Sequence, residues 1–231
     1  MQIGKLQLSS NSLLNWLLQG KDSSRGLPRY TKDMFFDHLL AVFENTKQHT
    51  LENSINLSKF NSFDYEENFE FLQFYDKLQE RSYLFSYFLV HGSYADLQIK
   101  KGWSDFDSIA VIKKESLMTH NRIKLLEHCQ ELDFYMRKID EFQHHGIHFI
   151  HEHELSSYPN LYLPINLFKD SKCLLGNKSL NYNCLDTYEF EKLRYQGIIQ
   201  TLKKAGNTGI LMHHGKNNKY LDKFNPWKIA G

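Results

Sequence analysis

The chain is poor in cysteine and proline, and it contains no long apolar run. Its three cysteines are widely spaced, at Cys129, Cys173 and Cys184. This odd, sparse set argues against a disulfide framework and for a reducing compartment. None of them has the C-x-x-C spacing of a zinc site. Only 4 residues are proline, while aromatic residues make up 14%, so we expect a packed core instead of long disordered linkers.

Net charge is also nearly absent, because the 28 Lys and Arg residues are balanced by 27 Asp and Glu residues. This balance gives no reason to require a nucleic-acid or membrane partner. Polar residues interrupt the N-terminal segment, so we expect neither a secretory signal nor a membrane span. We therefore predict a cytoplasmic protein with no membrane partner, and we favour a small-molecule or protein partner over a long nucleic acid.

Two apolar runs, residues 83–90 and 106–112, are predicted strands because they are rich in aromatic and branched side chains. The first run ends in His91-Gly92-Ser93. Gly92 allows a sharp turn or a close approach of the backbone to a ligand. Such a turn, with the Ser93 hydroxyl and the N–H groups of a following helical start, suits phosphate binding.

Two carboxylates, Asp105 and Asp107, open the second predicted strand. Side chains two residues apart on a strand point the same way, so these carboxylates should lie side by side. Their mutual repulsion needs compensation, and Mg²⁺ is commonly held by one or two carboxylates together with substrate phosphates. A phosphate-binding turn beside a metal-binding pair is what transfer from a nucleoside triphosphate requires.

The ordered pair of motifs resembles the signature of the DNA polymerase beta-like nucleotidyltransferase superfamily. The resemblance is carried by Gly92-Ser93 and by Asp105 and Asp107 within Ser-Asp-Phe-Asp-Ser-Ile-Ala-Val-Ile, and it covers residues 81–113 well. It implies an α+β fold whose mixed β-sheet core is flanked by helices. It also implies that Gly92 and Ser93 help to hold a triphosphate and that Asp105 and Asp107 bind Mg²⁺ or Mn²⁺.

The expected activity is transfer of a nucleoside monophosphate, AMP if the substrate is ATP, to an acceptor hydroxyl with release of pyrophosphate. The acceptor is expected to be a small molecule or a protein. Lys101 lies between the two motifs and is a candidate to steer the triphosphate, although a solvated loop is the simpler explanation.

A third carboxylate, which the resemblance leads one to expect on a neighbouring strand, has no obvious counterpart. The next strand-like segment, residues 146–154, carries His148 where an aspartate is expected. Histidine is a good general base near neutral pH, so His148 is our candidate for the base that activates the acceptor hydroxyl. One alternative is that a nearby acid completes the site, and the candidates are Asp140, Glu152 and Glu154. The other is that the site binds nucleotide without turnover.

The remainder of the chain is predicted to be mostly helical. We divide it into a helical N-terminal region at 1–80, a nucleotidyltransferase core at 81–185 and a small helical C-terminal region at 186–231. A long helical pattern at 115–138 should connect the carboxylate strand to the histidine-rich strand. Two other functions stay open: a catalytically weak or inactive nucleotide-binding regulatory or antitoxin-like module of the same fold, and a zinc-dependent hydrolase built on the histidines of residues 144–153.

Overall fold

The structure is a computed structural model that describes residues 14–15, 17–19, 28–45, 51–101, 104–141, 146–158, 165–184 and 199. Three long helices and seven strands lie in these ranges. The helices are α1 (Arg29–Asn45), α2 (Phe69–Glu80) and α3 (Thr119–Ile139). The strands are β1 (Asn53–Asn56), β2 (Ser58–Lys59), β3 (Phe85–His91), β4 (Asp107–Ile112), β5 (Ile147–His151), β6 (Lys172–Leu175) and β7 (Ser179–Tyr182).

Five strands form a mixed central sheet in the order β2-β6-β3-β4-β5, and β1 pairs with β7 in a separate two-stranded sheet. β3 runs antiparallel to both β4 and β6, whereas β4 and β5 are parallel. The parallel pair needs a crossover, and α3 supplies it, as the helical pattern at 115–138 predicts. The expected mixed α+β architecture is therefore confirmed.

Both faces of the central sheet are covered, because alternate residues of β3 and β4 enter two different cores. Phe88 and Ala110 point into the core beneath the helices. Leu89 and Ile109 point into a second core, which includes side chains from β1, β7 and the short 3₁₀ segments after β5. This period of two is the pattern that the apolar runs predicted.

The segment before residue 81 contributes more than the helices we expected there. β1 and β2 lie in it, and β2 pairs with β6 at the edge of the central sheet. These strands are too short and too polar to give a sequence signal. The predicted helical C-terminal region at 186–231 falls outside the described residues, apart from residue 199. No helix of the described ranges combines the length and apolar character that spanning a bilayer requires.

Two amide side chains protect the exposed edge of β5. The Asn15 amide donates to the carbonyl of Phe149 (2.5 Å) and accepts from its N–H (2.7 Å), so it pairs with the strand much as another strand would. Gln19 donates to the carbonyl of Ile147 (3.0 Å). An unprotected edge of this kind promotes association between chains, so these contacts also keep β5 within its own sheet.

We predict that Asn15→Ala lowers the free energy of unfolding by about 2 kcal/mol, because two part-buried backbone groups of Phe149 lose their partners. Gln19→Ala is the matched control and should cost about half as much, since it removes one backbone contact. Urea unfolding followed by circular dichroism measures both values. Equal losses for the two variants would show that the paired geometry at Asn15 adds nothing.

Candidate functional site

The Gly-Ser motif forms a tight 3₁₀ turn, Gly92–Tyr94, directly after β3. Gly92 is exposed and has a φ of +65°, which a glycine adopts without strain. Its carbonyl accepts hydrogen bonds from the N–H groups of Ala95 (2.9 Å) and Asp96 (3.0 Å). The carbonyls are thus used inside the turn, while the first N–H groups have no acceptor within it, as at the start of any helical turn.

Asp107 lies against this turn. It is the first residue of β4, and it pairs across the antiparallel ladder with His91, the residue before Gly92. A Cβ built on Gly92 would lie 3.5 Å from the Asp107 Oδ2 atom. The carboxylate and the phosphate-binding candidate are therefore neighbours in space, although residues 93–106 separate them in sequence.

Asp105 precedes β4 and is partly exposed, like Asp107. Phe106, between them, is fully buried in the helix-side core. Strand alternation therefore directs Asp107 to the opposite face. Asp105 lies just before the strand, and its placement beside Asp107 stays a prediction from the spacing. The buried Asp140 accepts a hydrogen bond from the Phe106 N–H (3.4 Å), and this contact holds the backbone between the two carboxylates.

An aromatic pair connects the two motifs. Tyr94 follows Ser93, Phe106 separates the aspartates, and their rings meet edge to face with centroids 5.1 Å apart. Phe71 and Phe74 of α2 contact Phe106 at 5.8 and 5.0 Å. The Tyr65 hydroxyl donates to the Tyr94 carbonyl (2.5 Å). These contacts fix the turn relative to the carboxylates, because each motif carries one member of the same ring cluster.

Two histidines share the carboxylate face. His148 pairs with Ile109 in the parallel β4–β5 ladder, and His91 pairs with Asp107, so all three polar side chains project from one face of the sheet. Burial lowers the pKa of His148 to about 4, and the neighbouring His91 contributes to this shift. The buried His148 Nε2 atom has no hydrogen-bond partner among the described residues. His148 is therefore neutral at pH 7 and can accept a proton or a hydrogen bond.

His91 has no assigned role in the sequence prediction, although it stands beside the Gly-Ser motif. Burial lowers its pKa, while the charge of Asp107 acts in the opposite direction. Its place beside the carboxylates depends on the register between β3 and β4. The adjacent Gly-Ser pair is the only sequence signal for it, and that signal does not specify the register.

The buried state of His148 predicts acid sensitivity. In the unfolded chain this imidazole has its ordinary pKa of 6.5, whereas in the fold the pKa is about 4. Between these values only the unfolded state takes up the proton, so stability is full above pH 6.5 and falls as the pH decreases towards 4. We expect His148 to account for about 2 kcal/mol of lost stability between pH 7.5 and pH 5.

Urea unfolding of the wild type and of His148→Gln at both pH values measures this contribution. The variant should lose about 2 kcal/mol less than the wild type over the interval. Lys124→Gln, an exposed change on α3, should follow the wild type. Parallel pH curves for the wild type and His148→Gln would show that the imidazole titrates normally in the folded protein.

Each acid considered for the third carboxylate accepts hydrogen bonds within the fold. Glu152 accepts hydrogen bonds from the Ser86 hydroxyl and from the Lys114 N–H, at the end of the sheet far from Asp107. Glu154 is buried and accepts from the His151 N–H. Asp140 contacts the backbone of Phe106, between the two aspartates, but no metal-binding group of three or more acids, histidines or cysteines forms in the described ranges. His148 lies on the neighbouring strand, paired with Ile109.

Lys101 lies away from the Gly-Ser turn. Its side chain is 94% exposed, and its Nζ atom is 3.8 Å from Glu70 Oε1 at the start of α2. The lysine side chain is long and flexible enough for its ammonium group to keep most of its hydration in this position. The geometry therefore gives Lys101 no direct contact with the turn, and steering a triphosphate would have to act through space.

The donor set suits a hard cation only in part. Within the described ranges, no group of three or more His, Cys, Asp or Glu side chains converges as a metal site, and His144 and His145 of the zinc hypothesis lie outside those ranges. Two carboxylates are nevertheless enough for Mg²⁺ when substrate phosphates and water supply the remaining oxygens. Asp105 and Asp107 therefore fit Mg²⁺ or Mn²⁺ bound together with a polyphosphate.

Comparison of the chain with protein-family models, with curated proteins and with solved structures gives no match. The features that point to a function are therefore local ones: an exposed turn, two carboxylates and two histidines near one end of the β3 and β4 strands.

Proposed function

We propose that the protein is a nucleotidyltransferase that moves a nucleoside monophosphate from a nucleoside triphosphate, ATP being the first candidate, to an acceptor hydroxyl. The observation that carries this proposal is that Asp107 lies close to Gly92: a Cβ built on the glycine would lie 3.5 Å from the carboxylate Oδ2. A polyphosphate held by the turn would therefore reach a cation held by the carboxylates. Few other reactions need both groups in contact.

The roles of the residues follow from their positions. The N–H groups of Gly92 and Ser93, with the Ser93 hydroxyl, bind the β and γ phosphates. Asp105 and Asp107 hold the Mg²⁺, which when bound neutralises phosphate charge and aligns the α phosphorus for in-line attack. The aromatic pair Tyr94 and Phe106 keeps these two groups in register, so little reorganisation is needed when substrate binds.

In this scheme, His148 accepts a hydrogen bond from the hydroxyl group of the acceptor. Its neutral ring has an unpartnered Nε2 atom and shares the face of Asp107. A pKa of about 4 makes it a weak base, so its main contribution is a hydrogen bond that orients the hydroxyl. The hydroxyl proton passes to water as the oxygen bonds to the α phosphorus and pyrophosphate leaves. His91 supports the same face by its pairing with Asp107.

The acceptor is proposed to be a small molecule or a protein, because the chain has a net charge of only +1 and a long nucleic acid would need a basic surface. We place the reaction in the cytoplasm, where triphosphates and reduced cysteines are both present.

The test uses the full chain with ATP labelled at the α phosphate and Mg²⁺. Pyrophosphate release that needs Mg²⁺ and increases with a hydroxyl-bearing acceptor is the expected result. Candidate acceptors are amino sugars, a protein mixture and the chain itself. Release that continues in excess chelator would contradict the metal-assisted scheme.

A nucleotide-binding module without turnover is the second candidate. The specific observation in its favour is that no third carboxylate joins Asp105 and Asp107 among the described residues. This function predicts saturable binding of ATP in the presence of Mg²⁺, weakened by Gly92→Val, with no pyrophosphate from any acceptor. Calorimetry and the labelling assay on one protein preparation separate the two functions.

A further inference from the structure

A cavity of about 450 Å³ lies beside the candidate site but does not include it. One wall is the linker between the motifs, with Tyr94, Leu97 and residues 99–101 and 104. The facing wall is residues 63–68 and 70, before and at the start of α2, and the end of α3 closes the space. Its volume falls in the range of small-molecule sites.

The two walls carry opposite charge. The α2 wall bears four carboxylates, Asp64, Glu66, Glu67 and Glu70, and the linker and α3 bear three ammonium groups, Lys100, Lys101 and Lys138. Among the described residues, the Lys101–Glu70 pair at 3.8 Å is the only ion pair that joins these walls. Asp64 instead contacts Lys172 outside the cavity at 3.4 Å.

Several charges are therefore left for a ligand. Glu66, Glu67 and Lys100 are exposed, and they have no ion-pair partner in the described part of the chain. Lys138 has its Nζ atom over the rings of Phe134 and Tyr135, at 4.8 and 4.6 Å from their centroids. A ligand with one group of each sign would satisfy both walls, whereas a purely anionic or cationic ligand would meet repulsion from one of them.

The cavity also offers apolar surface. Tyr94, Ile99 and Ile139 are buried or half-buried in its lining, and two large apolar side chains remain exposed at it: Phe63 is 78% exposed and Leu97 is 45% exposed. Leu97 has a left-handed φ of +59°, which is costly for a residue with a Cβ. Hydrogen bonds on both sides hold it there, from Gln98 N–H to the Ser93 carbonyl and from Lys100 N–H to the Ser104 hydroxyl.

We propose that this cavity binds a zwitterionic amino acid with an aromatic or large apolar side chain. The ligand's ammonium group faces Glu66 and Glu67, its carboxylate faces Lys100 and Lys138, and its side chain covers the exposed apolar surface. This site goes beyond nucleotide transfer and does not depend on it. None of Gly92, Ser93, Asp105 and Asp107 lines the cavity.

The test measures binding of L-phenylalanine to the full chain by ligand-observed NMR and calorimetry, without nucleotide. Phenethylamine, which lacks the carboxylate, and 3-phenylpropionate, which lacks the ammonium group, are the matched probes. We expect phenylalanine to bind at least about tenfold more tightly than either. No saturable binding of phenylalanine up to about 10 mM, or equal binding of either probe, would overturn the proposal.

Paired substitutions on each wall test whether phenylalanine binds in this cavity. Glu66→Gln with Glu67→Gln, and separately Lys100→Gln with Lys138→Gln, should each weaken phenylalanine binding about tenfold, because each removes the charge that one end of the ligand meets. Lys124→Gln, on the exposed face of α3 outside the cavity, is the control and should bind as the wild type does. Unchanged binding by both double variants would refute this location.

Discussion

Asp107→Asn is expected to reduce nucleotide transfer by about a thousandfold, corresponding to roughly 4 kcal/mol of transition-state stabilisation. The amide is nearly the same size as the carboxylate but binds Mg²⁺ poorly, and it still lies 3.5 Å from the Gly92 Cβ position. The loss should therefore be in turnover and metal dependence. Steady-state pyrophosphate release at varied Mg²⁺ measures it.

The same substitution should leave folding intact. The spacing predicts that Asp105 and Asp107 lie side by side, so removing one charge should also remove repulsion, and we expect an unchanged or higher melting temperature. Asp96→Asn is the matched control, because Asp96 is exposed in the linker between the two motifs and lies outside the β3–β4 ladder. It should keep wild-type turnover. A stability loss for Asp107→Asn, or equal activity losses for both variants, would make the Asp107 carboxylate a structural group.

Phe106→Ala is expected to have the largest effect on stability, about 3–5 kcal/mol. The ring is fully buried and contacts Tyr94, Phe71 and Phe74, so its removal opens a cavity where the two motifs meet. Because this ring holds the turn against the carboxylates, turnover of the folded fraction should also fall. Urea unfolding and activity measured well below the melting temperature separate the two effects.

Phe85→Ala provides the comparison. Phe85 is equally buried and belongs to the same core, but it begins β3 at the end of the sheet far from Asp107. We expect it to lose similar stability and to keep the turnover of its folded fraction. If both variants keep turnover per folded molecule, then the ring cluster does not position the site.

Part of the site could be predicted without coordinates. Strand periodicity predicted the common face of Asp105 and Asp107, and Gly92 predicted a sharp turn, which has a φ of +65°. These are local properties, because they depend on residues within a few positions of one another. His148 does not belong to this class: the resemblance made it the candidate, and its position beside the carboxylate strand depends on its pairing with Ile109 in the β4–β5 ladder.

The structure shows different roles for the acids at Asp140, Glu152 and Glu154, and it adds His91 to the site. Each of these results depends on pairing between segments that are distant in sequence. Glu152 meets Ser86 and Lys114 only because β5 runs parallel to β4 and so carries its following residues to the far end of the sheet. Periodicity gives the face of a residue, but strand order and register decide which end of the sheet it reaches.

The sequence by itself determined the apolar strands, the turn and the two carboxylates, since composition and spacing specify local backbone and side-chain direction. Only the tertiary structure decided that Gly92 contacts Asp107, that Tyr94 packs on Phe106 and that His91 and His148 share their face. The physical reason is that these contacts join segments far apart along the chain, and their free energy comes from packing and register that local sequence does not encode.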